Sequence, residues 1–312
     1  MRIKPEGSGF LWMGAGAAVL LLFMLAVLHF HEDGNAAAQM AFKTRRVDLV
    51  ARMQLDLASA SEAEKSAVLA ITDADSQTLA DQAGAASTKV EQERRELEEI
   101  LAEGGTPAEK ESLAQFTTTF AEFQRVDREL LALAVKNTNI KAYSLAFGAA
   151  ATSIQEMNAA LDRLLATNAD SPGAKTVLRL AYGAQIGALR IQTLLPPHIA
   201  EESDSKMDAL EASMATEDAQ VRKDLGGLAA RGPLGKDPEL ATATARYAEF
   251  SRIKTQILAL SRENTNVRSL SISLHQKRKV MLLCQATLDA LQQAILAEPR
   301  TGTTYGTPAR PR

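Results

Sequence analysis

Residues 120–145, FAEFQRVDRELLALAVKNTNIKAYSL, align without a gap to residues 247–272, YAEFSRIKTQILALSRENTNVRSLSI, at a constant offset of 127. The shared Ala-Glu-Phe, the Leu-Ala-Leu steps ending at Leu133 and Leu260, and the Asn-Thr-Asn runs at 137–139 and 264–266 are too specific for chance composition, so two copies of one module are expected. Leu113, Phe116, Phe120, Phe123, Val126, Leu130 and Leu133 step by three or four, and Leu240, Ala243, Tyr247, Phe250, Ile253, Ile257 and Leu260 repeat the stripe. That spacing places the apolar residues on one face of a helix. Beyond each Asn-Thr-Asn run a further stripe follows: Ile140, Phe147, Ile154, Met157 and Leu161 in the first copy, and Val267, Leu270, Leu274, Met281, Cys284, Leu288, Leu291 and Ile295 in the second. Each pair of stripes reads as an antiparallel helical hairpin.

Working outward, the chain is punctuated by Gly104-Gly105-Thr106-Pro107 and by Arg231-Gly232-Pro233-Leu234-Gly235, with softer breaks near Thr72 to Ser76 and at Pro196-Pro197. This predicts four helices per copy. Ser171-Pro172-Gly173 divides the copies, so the expected organisation is a tip and anchor at 1–32, a first four-helix bundle at 33–171, a second at 172–298 and a disordered tail at 299–312. The fold class is all-α. Aromatics make up 4 % of the chain, too few for the strands of a sheet.

From Phe10 to Leu28 no residue is charged, and these 19 residues come close to the roughly 20 that cross a bilayer. A cleaved leader, for which Ala36 to Ala38 would offer a site, ordinarily has a shorter apolar core of about 7 to 15 residues. An uncleaved anchor is therefore expected. Arg2 and Lys4 before the segment and Glu32 and Asp33 after it favour a cytoplasmic N-terminus, with the rest of the chain outside, in the periplasm of a bacterium. A net charge of −3, from 35 basic and 38 acidic residues, argues against nucleic acid as a partner. The lone Cys284 cannot close an internal disulfide.

With the basic tip, the spanning helix running into a long first helix, and a third helix ending in Asn137-Thr138-Asn139 before the Ala-rich AYSLAFGAAATSIQEMNAALDRLL, the chain resembles the extracytoplasmic four-helix-bundle sensor domain of methyl-accepting chemotaxis receptors and related histidine kinases. The resemblance covers about residues 5–170 and again about 174–297. It implies sensing of small molecules, with helix displacement carried across the membrane. The chain departs from the family in lacking a second spanning helix after Leu165 or Ile295, a linker module and a methylated coiled coil. A receptor or kinase is thus the expected source of output. The competing expectation is a structural scaffold subunit of an envelope complex.

No phosphate loop, nucleophile elbow or Cys/His metal spacing is present, so neither enzymatic activity, nor a cofactor, nor a metal is expected. Glu91, Glu93, Glu96, Glu98 and Glu99 alternate with arginines as on a solvated helix face, and His29 and His31 fit interfacial anchoring. The Asn-Thr-Asn runs fit helix termination, since Asn tolerates the left-handed conformation and Thr or Asn caps a following helix. One asymmetry points to a ligand. By the offset, Lys277 replaces Ala150 on an inward stripe, where a charge must be neutralised by an acidic neighbour such as Asp208 or Glu211, or by a bound anion. Arg190, Lys277 and Arg278 are the candidate ligand-binding set, suited to a small dicarboxylate or amino acid.

Overall fold

The computed structural model describes the backbone of residues 10–297 and the side chains of residues 39–297. The expected tip and anchor and the tail from residue 299 lie outside the side chains described. Among the described residues there is no strand. The helices are α1 (Phe10–Leu69), α2 (Asp73–Gly104), α3 (Pro107–Ala134), α4 (Thr138–Leu145), α5 (Ala151–Thr167), α6 (Ala174–Ala200), α7 (Asp204–Ala229), α8 (Pro238–Glu263), α9 (Thr265–Ile272) and α10 (Arg278–Ala297). A π-helical turn at Ala146–Ala150 joins α4 to α5, and another at Ser273–Lys277 joins α9 to α10.

Local chemistry sets most of the ends. Thr106 and Glu109 form a reciprocal capping box at the start of α3: the Thr106 N–H donates to Glu109 Oε2 at 2.7 Å and the Glu109 N–H to Thr106 Oγ1 at 3.3 Å. Asp237 caps α8 by accepting from the Glu239 N–H, with Pro238 at the first helical position. Gly173, at φ 95°, precedes α6 where a side chain would strain the backbone. The prolines at 196 and 197 do not end their helix. They sit in its last turns, and α6 runs on to Ala200.

After each Asn-Thr-Asn run, the inward face differs from the expected apolar one. Thr138, Ala142, Ala146 and Ala150 are buried in the first copy, as are Thr265, Ser269, Ser273 and Lys277 in the second, whereas Phe147, Leu270 and Leu274 are exposed. These buried residues recur every four positions. In an α-helix of 3.6 residues per turn, such a row drifts about 40° per step around the axis. The wider π-helical turns offset that drift, and after them Ile154, Met157 and Leu161, and Cys284, Leu288, Leu291 and Ile295, are buried as expected.

The described chain divides into two compact units, one holding residues up to Ser59, Ala86–Ala121 and those from Leu282, the other holding Ala60–Ala85 and Glu122–Met281. In the first, α1, α2, α3 and α10 are cross-linked by Arg45 to Glu96, by a buried bidentate pair from Arg46 to Glu109, by Gln54 to Asp289 at 2.9 Å and by Thr119 to Thr287 at 3.3 Å. In the second, α5 packs along α8 and α6, and α6 lies close against α7. Arg163 to Glu239, Arg246 to Glu156 and Gln185 to Asp162 reinforce the α5 contacts. The hairpins expected within each copy are replaced by an exchange: the fourth helix of each copy packs on helices of the other. In the second copy the link between α8 and α9 is the single left-handed Asn264, shorter than the about two to five residues of a helical hairpin, whereas in the first copy residues 135–137 separate α3 from α4.

The stretch 238–297 contains a window apolar enough, by length and composition, to cross a membrane. Within this stretch Phe250, Ile253, Ile257, Cys284 and Leu288 are buried, whereas Leu282, Leu283 and Leu296 are exposed.

Candidate functional site

Asn137 and Asn264 adopt left-handed conformations at φ 50° and 52° and bring the two Asn-Thr-Asn runs face to face. The Thr138 N–H donates to Thr265 Oγ1 at 3.2 Å, and the Thr265 N–H donates to Thr138 Oγ1 at 3.1 Å. The Asn139 N–H donates to Asn266 Oδ1 and the Asn266 N–H to Asn139 Oδ1, at 3.2 and 3.1 Å. Asn139 Nδ2 donates to Asn264 Oδ1, and Asn266 Nδ2 to Asn137 Oδ1. Each of these six bonds has its mate at the 127-residue offset, so this part of the junction has a local two-fold. The left-handed Asn follows the sequence expectation, but the capping does not. Each helix start is capped by the other copy's Thr and Asn, satisfying the N–H groups that a helix N-terminus leaves open.

Two turns beyond Ser269, the π-helical turn at Ser273–Lys277 points Lys277 inward, where it is 1 % exposed. Its ammonium bonds to the buried Asp127 of α3 and lies over the Phe123 ring, 3.2 Å from the centroid. Glu64 of α1, fully buried, adjoins the same cluster, and neither of its carboxylate oxygens meets hydrogen-bonding geometry. Burial pushes the Glu64 carboxyl up from its ordinary range, with Asp127 adding to that and the Ser273 hydroxyl and the Lys277 ammonium opposing it.

The expected ligand-binding set therefore separates. Lys277 is neutralised by Asp127, neither Asp208 nor Glu211 being its partner, and the adjacent Arg278 is exposed. Arg190 bonds to Glu217 at 3.2 Å on the outer side of α6. An anion reaching Lys277 would have to displace Asp127 and sit beside Glu64. Glu211 and Asp208 serve other groups: Arg262 bonds to both, and Glu211 also bonds to the buried His198, which is held on its other nitrogen by Ser261 at 2.8 Å. Serine, histidine and glutamate are aligned here, with Ser261 and His198 wholly buried.

Asp127 and Glu64 were missed by sequence reasoning, yet a signal existed. The same offset sets Asp127 against Lys254 within the aligned block and, carried into the first helices, Glu64 against Ile191, charge changes of the kind that singled out Lys277. Those positions lie outside the aligned block or carry a charge in both copies, so neither stands out by eye.

No curated protein matches the chain. The family model described as a four helix bundle sensory module for signal transduction matches residues 50–175, so that this part of the chain, from α1 to the start of α6, is similar to a chemoreceptor-like sensor.

Proposed function

We propose that this protein is a membrane-anchored sensory or signal-modulating helical module, built from two tandem copies, whose bulk lies outside the cytoplasm and whose output passes through a receptor or kinase. The observation that carries the reading is the similarity of residues 50–175 to a four helix bundle sensory module. The junction adds a physical means. Each fourth helix is held to the other copy by hydrogen bonds at a left-handed residue, so a shift in one copy is felt in the other. The uncharged stretch from Phe10 to Leu28 supports the anchor. Small anions remain a reasonable first ligand screen, with Arg190 and Arg278 as their exposed cations.

In-cell photo-crosslinking of the full chain in its own cell, with partners identified by mass spectrometry, tests this reading together with a deletion strain. The expected result is a crosslink to a receptor or histidine kinase whose dose–response changes on deletion. Crosslinks confined to structural envelope proteins, with every such output unchanged, would replace the sensor by a scaffold.

A further inference from the structure

Glu64, Asp127 and Lys277 are all buried, and together they carry two carboxyl groups for one ammonium. If both carboxyls were ionised, the cluster would hold a net negative charge in a region with Phe123 on one side and no solvent, which is among the most costly arrangements a protein interior can adopt. Among the described residues, the other groups around Glu64 supply no second buried cation. Lys65, its neighbour on α1, is exposed, α3 supplies Asp127, and the π-helical turn supplies Lys277 and Ser273. From α2, Ser76, Ala80 and Ala83 are buried, whereas Asp73, Asp75 and Asp81 are exposed and engaged by Lys141, Thr72 and Gln77. From α9 comes Ser269, neutral and buried.

We propose that this cluster is a proton-binding site: Glu64 is held as a neutral carboxylic acid in the folded protein, Asp127 and Lys277 form the ion pair beside it, and the module thereby responds to alkaline pH. The choice of Glu64 follows from geometry, because Asp127 holds the ammonium directly, whereas neither Glu64 oxygen is within hydrogen-bonding geometry of a partner and only the Ser273 hydroxyl and the more distant ammonium favour its charge. Burial raising the Glu64 carboxyl agrees with it. The site is placed to matter. Ser273 and Lys277 belong to the π-helical turn, whose helix leads back through Ser269 to Thr265 at the junction, so a charge appearing on Glu64 acts on the segment that ties the two copies together. The sign is fixed by linkage. A carboxyl raised on folding contributes stability that is fully present below its unfolded value and is lost as pH rises through its folded value.

The test is equilibrium unfolding of the full chain in detergent between pH 5 and pH 9, with Glu64→Gln as the reference, so that every other titrating group cancels. As pH rises, the folding constant of the wild type should fall relative to that of Glu64→Gln by up to about tenfold per pH unit, the value for one proton. Charge balance predicts two further profiles. Asp127→Asn gives Lys277 to Glu64 and should abolish the alkaline loss, whereas Lys277→Met leaves both carboxyls needing protons and should steepen it. In infrared spectra at pH 7, the wild type should show a protonated-carboxyl band beyond the contribution of Glu93, and that part should be missing in Glu64→Gln, a readout that needs only the wild type and one neutral variant. Parallel pH profiles for wild type and Glu64→Gln, or an infrared band unchanged by that substitution, would overturn the proposal, as would an alkaline loss that persists in Asp127→Asn.

Discussion

Replacing Thr138 with Val tests whether the two-fold junction is a structural tie. Valine keeps the shape and removes the hydroxyl, so the Thr265 N–H, buried at the first position of α9, loses its acceptor, and Thr265 Oγ1 loses its 3.1 Å hydroxyl partner. A buried donor left unsatisfied costs about 1 to 3 kcal/mol, and about 2 kcal/mol is expected here, a change of roughly 30-fold in the folding constant. The mirror substitution Thr265→Val removes the acceptor of the Thr138 N–H and should cost about the same. In the double variant both N–H groups are orphaned but no hydroxyl is left without its mate. Its loss should therefore fall short of the sum by about 1 kcal/mol, within the usual range for contacting pairs. Urea unfolding of the full chain, followed by circular dichroism, measures all four corners of the cycle. Single losses below about 0.5 kcal/mol that simply add would show that water or a rearranged backbone replaces these bonds, and the tie would be refuted.

Other substitutions read different parts of the molecule. Gly187→Ala should destabilise by about 1 to 3 kcal/mol, because its Cβ would stand 2.6 Å from Val221 Cγ2 where α6 and α7 meet, whereas Gly226→Ala, with open space around it, should gain about 0.5 to 1 kcal/mol; melting temperatures check both. Burial, with Asp56 beside it, pushes the Glu93 carboxyl up to about 7, so its contribution is lost as pH rises from the ordinary carboxylate range through 7, and Glu93→Gln should flatten that part of the stability profile. Although burial would raise Asp218, hydrogen bonds from Arg222 and Tyr247 and the Lys254 charge outweigh it and hold its carboxyl near 2; stability from this group should persist down to the ordinary carboxylate range and vanish as pH falls through 2, a loss that Asp218→Asn removes from an acid titration. A reporter active only in the cytoplasm, fused after Arg312, should stay silent, and strong activity would invert the proposed topology.

The helices and most of their breaks were legible because they rest on local chemistry: a capping box at Thr106, glycines and prolines between helices, and three-or-four spacing along α3 and α8. Asn137 and Asn264 were legible as left-handed residues for the same reason. What could not be read was partnership. An apolar stripe states which face is inside, not which helix lies against it, so the stripe of α5 fits a neighbour in its own copy as well as α8. The inward face after each junction was misread because Phe147 and Leu274 are more hydrophobic than the small residues that the π-helical turns bring inside. For Lys277, the need for a partner followed from burial, but Asp127 lies 150 residues away, and nothing local points to it.

The exchange of fourth helices also bears on how the chain is made. In a nascent chain α5 is complete at about residue 167, while Phe250 and Ile253 of α8, against which it packs, emerge about 90 residues later. At roughly 5 to 20 residues per second, Ile154, Met157, Leu161 and Leu164 wait several seconds to well over ten without their native cover. During synthesis the first half therefore presents an apolar helix whose native cover has not yet been made. A holding chaperone bound to it over that interval would keep it from aggregating.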